Sequence, residues 1–199
     1  MKKKTPSGFS GSEAVAVPTE KELLLLVRSG DASAKRRFYD RYVGYLTAVC
    51  SRYVVNPSDV KDVLQDSFIK IFNSLDRFEY RGEGSIRAWV SRIVVNDSLK
   101  SLRNSGRLLA LSELPEIPSD AEDEPVRPEI PPEELQRMIK ALPDGYRTVF
   151  NLFVFEKKSH KEIAGMLGIK EDSSASQYLR ARRILASKIK DYWKRQDNG

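Results

Sequence analysis

The sequence predicts an all-α protein of two small helical domains joined by an acidic, proline-rich linker, and three observations carry that reading. Apolar residues recur at three- and four-residue spacing through two separate stretches, about 19–107 and 133–195. Between them, six of the ten prolines fall from Pro115 to Pro132. The overlapping stretch Ser112 to Glu134 holds nine Asp or Glu against one Arg, a local charge of −8 that leaves +14 on the rest of a chain of net charge +6. The basic charge therefore sits on the helical domains, where it can meet a polyanion.

Taken in order, residues 1–18 contain Gly, Ser and Pro without apolar periodicity and read as a flexible tail with no assigned role. Thr19 with Glu22 three residues later is a capping-box signature, followed by the apolar run Leu23 to Val27 and a stop at Gly30. A second helix is expected from about Ala32 to Tyr53, with Phe38, Tyr42, Tyr45, Leu46 and Val49 on one face. After Asn56 and Pro57, the residues Val60, Val63, Leu64, Phe68, Ile71, Phe72 and Leu75 keep helical period to about Asp76. Gly82 and Gly84 break the chain, and Ser85 is expected to cap a helix to about Arg103 that buries Ile86, Trp89, Val90, Ile93 and Val94.

Residues 108–132 lack the apolar surface to fold alone and read as the linker. Helical period returns from Glu133, with Leu135, Met138, Ile139 and Leu142 apolar, then a turn at Pro143-Asp144-Gly145, then Val149, Phe150 and Phe153. Ser159 and Glu162 form a second capping box opening a short helix to Leu167. Gly168 and Ile169 supply a turn, and Ser173 or Ser174 is expected to cap a last helix to about Lys194.

Composition narrows the function. The longest apolar run, Leu23 to Val27, is far short of the roughly 20 residues that cross a bilayer. Lys2, Lys3 and Lys4 are followed by small polar residues rather than by a signal-peptide core, so the expected location is the cytoplasm and no membrane insertion is expected. One cysteine, Cys50, and one histidine, His160, argue against disulfide and zinc chemistry. With no glycine phosphate loop, no nucleophile beside a base and no metal-ligand cluster, the reading is of a non-enzyme that needs no cofactor.

Three constellations carry function. The C-terminal pair of helices reads as a helix-turn-helix: Tyr178, Ala181, Leu185 and Ile189 share the inner face, while Ser173, Ser176, Arg180 and Arg183 share the outer one. Short polar side chains followed by arginines let a helix approach base edges while gripping phosphates, although a solvated basic helix has the same pattern. The helix from about Ser58 to Asp76 presents Asp62, Gln65, Asp66, Ile69 and Asn73 away from its apolar face, an acidic stripe with an apolar centre that suits a protein partner or, more blandly, solvent. On the next helix Arg92, Asn96, Lys100 and Arg103 form a basic stripe. Just before it, Phe78, Tyr80, Arg81 and the Gly82-Glu83-Gly84 turn place aromatics and a loop where unstacked bases can be received.

The segments Asp62 to Ile69 (DVLQDSFI), Arg77 to Gly82 (RFEYRG) and Ala88 to Asn96 (AWVSRIVVN) together resemble region 2 of extracytoplasmic-function (ECF) sigma factors. Leu142 to Arg147 (LPDGYR), Ser159 to Ala164 (SHKEIA) and Tyr178 to Arg182 (YLRAR) resemble region 4 of the same family, in the family's order. The resemblance implies a transcription initiation factor whose partners are core RNA polymerase, promoter DNA and an anti-sigma protein. It implies that Asp62, Gln65, Asp66, Ile69 and Asn73 face the beta-prime clamp helices, and that region 4 meets the beta flap. Phe78, Tyr80, Arg81, Ser85, Trp89, Arg92, Asn96, Lys100 and Arg103 are then the minus-10 surface, with one base flipped into the loop and Asn96 the leading contact. For minus-35 duplex, Ser173, Ser176, Gln177 and Arg180 lie nearest the bases and Lys161, Arg182 and Arg183 nearer phosphates. The linker is implied to thread the polymerase channel later used by RNA. A stand-alone operator-binding regulator using only the helix-turn-helix stays open on sequence.

Overall fold

The computed structural model describes residues 17–106 and 130–197, so most of the tail and nearly all of the linker fall outside the described residues. Those described form eight α-helices and no strand: α1 (Glu20–Arg28), α2 (Ala32–Cys50), α3 (Pro57–Ser74), α4 (Ser85–Asn104), α5 (Pro132–Lys140), α6 (Asp144–Val154), α7 (His160–Leu167) and α8 (Glu171–Asp197). A turn of 3-10 helix, Leu75–Arg77, extends α3.

Local chemistry sets most of the boundaries. Thr19 accepts from the Glu22 N–H while Glu22 accepts from the Thr19 N–H, so the expected capping box starts α1. Asp31 and Asn56 cap α2 and α3, each accepting two backbone N–H groups. Leu23, Leu24 and Val27 of α1 pack with Phe38, Leu46, Phe68, Ile71, Val90 and Val94 in the core of the first bundle.

Five expectations are corrected. Gly84, at φ 83°, caps α4 without a side-chain bond; Ser85 is the first helical residue, and its hydroxyl turns back to donate to the Gly82 carbonyl at 2.6 Å. Asp144 and Gly145 open α6 rather than forming a turn, because Pro143 has the fixed φ that leads into a helix and its carbonyl accepts the first bond from Arg147 N–H at 2.9 Å. The last helix begins at Glu171, with the Lys170 carbonyl accepting from the Ser174 N–H, so Ser173 and Ser174 lie in its first turn and cap nothing. Acidic Glu171 and Asp172 there complement the positive end of the helix dipole. Leu135 stays exposed, because α5 turns only Met138 and Ile139 inward. Tyr53, expected at the end of the second helix, lies in a turn three residues beyond Cys50.

The two helical units pack directly on each other. Carbonyls at the end of a helix lack intrahelical donors, and those of Arg52 and Tyr53, just past α2, find them on α6. Asn151 Nδ2 donates to the Arg52 carbonyl at 2.7 Å, and Arg147 Nη2 donates to the Tyr53 carbonyl at 2.9 Å. Arg147 is only 2% exposed, and its Nη1 also donates to the Leu142 carbonyl at 2.9 Å. The Arg52 guanidinium lies over the Phe155 ring at 4.6 Å, and Arg103 Nη1 donates to the Met166 carbonyl at 3.3 Å. Val149, Leu152, Ile163 and Leu167 join the main core, leaving a smaller cluster of Met138, Ile139, Leu142, Tyr146, Ala181 and Leu185.

Candidate nucleic-acid interface

The site is built on α3, α4 and the loop between them. Along α3 the inward residues Val60, Val63, Leu64, Ser67, Phe68 and Ile71 are buried, which forces Asp62, Gln65, Asp66, Ile69 and Asn73 outward, and all five are exposed. Ile69 is 53% exposed at the rim of an apolar groove of about 720 Å³ between α2 and α3.

Arg92, Asn96, Lys100 and Arg103 are exposed along α4 as the pattern predicts. The acidic and basic stripes meet at a recess of about 470 Å³ where Asp62 and Asp66 stand opposite Lys100 and Asn104. Asp97 anchors the two helices, accepting from Ser67 Oγ at 2.9 Å and pairing with Lys70. One rigid pair of helices thus offers an acidic face and a basic face side by side.

The loop before α4 is ordered by its own side chains. Phe78 and Trp89 are half-buried with ring centroids 4.8 Å apart, so Trp89 is largely support, as expected. Tyr80 is also half-buried and its hydroxyl donates to Glu83 at 3.4 Å, while Ser85 Oγ accepts from the Arg81 N–H at 3.3 Å. The Arg81 side chain is exposed and pairs with Glu79 at 3.3 Å. Left-handed φ values of 116° and 83° at Gly82 and Gly84 bend the backbone around this cluster. Sequence reading missed the side chains that hold the loop from behind, Glu20 and Arg28 on α1: one hides in a capping sequence, and the other reads as an ordinary basic helix end.

In the C-terminal unit Ser159 caps α7 reciprocally with Glu162, whose carboxyl is pulled down to about 2 by hydrogen bonds from Lys158 and Ser159. Gly168, at φ 70°, turns the chain into α8. His160 stacks on Phe153 at 4.7 Å, Phe153 meets Tyr178 at 4.4 Å, and His160 Nδ1 lies 3.0 Å from Ser174 Oγ, which together fix the angle of the helix-turn-helix. Lys161, Ser176 and Arg182 are exposed, and Ser173, Arg180 and Arg183 half-buried. Gln177 departs from the place the resemblance implies: at 7% exposure it faces inward, because its spacing of three residues from Ser174 and four from Ala181 puts all three on the buried face of α8.

An acidic face, a basic stripe beside an aromatic loop, and a helix-turn-helix on one chain are the features of a DNA-binding protein. The chain matches the Sigma-70 region 2 family over residues 38–108 and the Sigma-70, region 4 family over residues 132–185. It is 30% identical over 185 residues to the ECF RNA polymerase sigma-E factor of Haemophilus influenzae, covering 86% of this chain and 95% of that protein. To the protein of the same name in Escherichia coli K12 it is 31% identical over 183 residues, covering 86% and 94%. Among solved structures, CnrH in complex with the cytosolic domain of CnrY aligns with a TM-score of 0.46 and 23% identity, over 85% of this chain and 96% of that one. The chain belongs to the ECF RNA polymerase sigma factors. It is a transcription initiation factor that directs RNA polymerase to promoters, and the matches offer no support for a stand-alone regulator. Sigma factors act without catalysis of their own. Among the described residues no helix is long and apolar enough to cross a membrane.

Proposed function

We propose that the exposed face of α3, with Asp62, Gln65, Asp66, Ile69 and Asn73, docks on the beta-prime clamp helices and that the adjoining loop and α4 capture the opened minus-10 strand. The observation that carries this reading is the juxtaposition of the two faces across one recess, with Asp62 and Asp66 opposite Lys100. A polymerase helix on α3 therefore delivers the DNA strand to α4. Phe78, Tyr80, Arg81 and Ser85 form the base-receiving loop, with Trp89 behind them, Asn96 contacting a base edge, and Arg92, Lys100 and Arg103 following phosphates.

Region 4 would read minus-35 duplex with Ser173, Ser176 and Arg180 nearest the bases and Lys161, Arg182 and Arg183 on phosphates, while contacting the beta flap. Gln177 would join them only after the inner face of α8 is uncovered. The two promoter elements, by their names, lie about 25 base pairs apart, roughly 85 Å of B-DNA at 3.4 Å per pair. Arg103 of the minus-10 surface here bonds the Met166 carbonyl of the helix-turn-helix at 3.3 Å. The packed form cannot serve both elements at once, so binding polymerase separates the units. Family membership supports an anti-sigma protein as the partner that masks these surfaces, and action in the cytoplasm, where the polymerase works.

Asn96→Ala tests the strand assignment. Holoenzyme carrying it should bind core polymerase normally but lose about tenfold or more in promoter opening, the effect of about 1–2 kcal/mol at one base contact. Permanganate footprinting with full opening by the variant would refute the role given to Asn96.

A further inference from the structure

Helix α1 never approaches the exposed stripes, yet two of its side chains grip the backbone of the minus-10 loop. Glu20, at the first position of α1, is only 4% exposed. Its carboxylate accepts from the Tyr42 hydroxyl at 2.9 Å and from the Gly84 N–H at 2.8 Å. Arg28, the last residue of α1, donates through Nε and Nη2 to the Leu75 carbonyl at 3.1 and 2.8 Å, and through Nη2 also to the Phe78 carbonyl. The grip thus fastens the segment at its start, at Phe78 and at its end. Arg41 adds to it, donating to the Pro18 carbonyl at 2.8 Å and lying 3.6 Å from the Glu83 carboxylate.

These bonds are not needed to hold α1 on the bundle, because Leu23, Leu24 and Val27 already bury its apolar face. What they fix is the loop. Gly82 and Gly84 give the segment freedom that its own side-chain bonds remove only in part, and a flexible loop must lose the remainder each time it receives a base. Charge-assisted hydrogen bonds from a buried carboxylate and a guanidinium fork are the strong kind, and they point at main-chain atoms whose positions set where Phe78, Tyr80 and Arg81 lie. Burial and hydrogen bonding to Glu20 push the Tyr42 phenol well above its ordinary range, so it stays a donor to that carboxylate.

We infer that Glu20 and Arg28 are positioning residues for strand capture: α1 acts as a clasp that preorganises the 75–85 loop before DNA arrives. This rests on the assignment of that loop to the minus-10 strand. The clasp contributes to affinity without touching DNA, so its loss weakens capture of the opened strand while leaving the α3 face and region 4 in working order.

The test uses the full-length protein assembled with core polymerase and a single-stranded oligonucleotide carrying the non-template minus-10 region of a promoter recovered with the wild type. Glu20→Met keeps the length of the side chain but leaves the Gly84 N–H without its acceptor; Arg28→Met removes the fork. Each should weaken oligonucleotide binding by about tenfold, the scale of one preorganising charge-assisted bond. Core affinity and binding of a minus-35 duplex should stay within about twofold. Glu20→Gln should restore capture, because its carbonyl accepts from Gly84 while its amide donates to the Tyr42 hydroxyl oxygen. Unchanged capture in both methionine variants would overturn the clasp, and so would a parallel loss of core and duplex binding, which marks a general structural role. Failure of the wild-type holoenzyme to hold the oligonucleotide would refute the loop assignment itself, and that is read before any variant is made.

Discussion

Single residues in this protein do their work through the groups they satisfy. Glu162 is the clearest case, since its carboxylate answers Lys158 and both donors of Ser159 at the mouth of the helix-turn-helix. Its acidity is raised by those bonds, from an ordinary value of 4.5 to about 2. A carboxyl depressed in the folded state adds stability above its unfolded value, and the contribution fades as pH falls from about 4.5 through about 2. Thermal melts of wild type and Glu162→Gln should therefore differ at neutral pH and converge at pH 2. A constant difference across that range would show that the bonds do not govern the cap. Cys50 shows the opposite effect of surroundings: burial pushes its thiol up, and Ser98 Oγ donates to it at 3.4 Å inside the bundle. A thiol so placed is inert packing.

Among the elements, those opened by a capping box were legible in sequence, and the starts of α4, α6 and α8 were not. The capping boxes at Thr19 and Ser159 and the outward stripe on α3 follow from spacing alone. Ser85 reads as a cap in sequence, yet the Gly84 N–H is taken by Glu20, which lies 64 residues away in the chain. The resemblance alone places Gln177 near the bases, whereas its position four residues before the inner-face Ala181 already puts it on the buried side of α8. The site was legible to the same degree: the five residues on α3 and the four on α4 are where the period puts them. The clasp behind the loop had no local signal, because a buried Glu at a helix start is indistinguishable in sequence from an ordinary acidic first turn.

At the scale of the whole molecule, the two units are joined by contacts that only partly satisfy their own polar groups. Arg147 Nε and Asn151 Oδ1, on the two side chains that bond across the units, are buried without a hydrogen-bond partner among the described residues. A buried unmet donor or acceptor costs about 1–3 kcal/mol, which weakens the packing between the units. Asn151→Asp replaces the donor to the Arg52 carbonyl with a second acceptor and should separate the units without unfolding either. Small-angle scattering should give a larger radius of gyration for the variant than for the wild type with unchanged helical content. Equal radii would mean that the contacts at Arg52 and Tyr53 do not hold the packed form.

Promoter-directed initiation, with the α3 face proposed as the dock on core polymerase, is what joins the three scales. Run-off transcription of fragmented genomic DNA by the host's core polymerase tests it most directly, with no added protein, with the wild type and with Asp66→Arg. Discrete promoter-specific transcripts are expected with the wild type and their loss with the variant, which places a cation on the proposed docking surface. No new transcripts with the wild type, together with tight duplex binding by the protein alone, would contradict it.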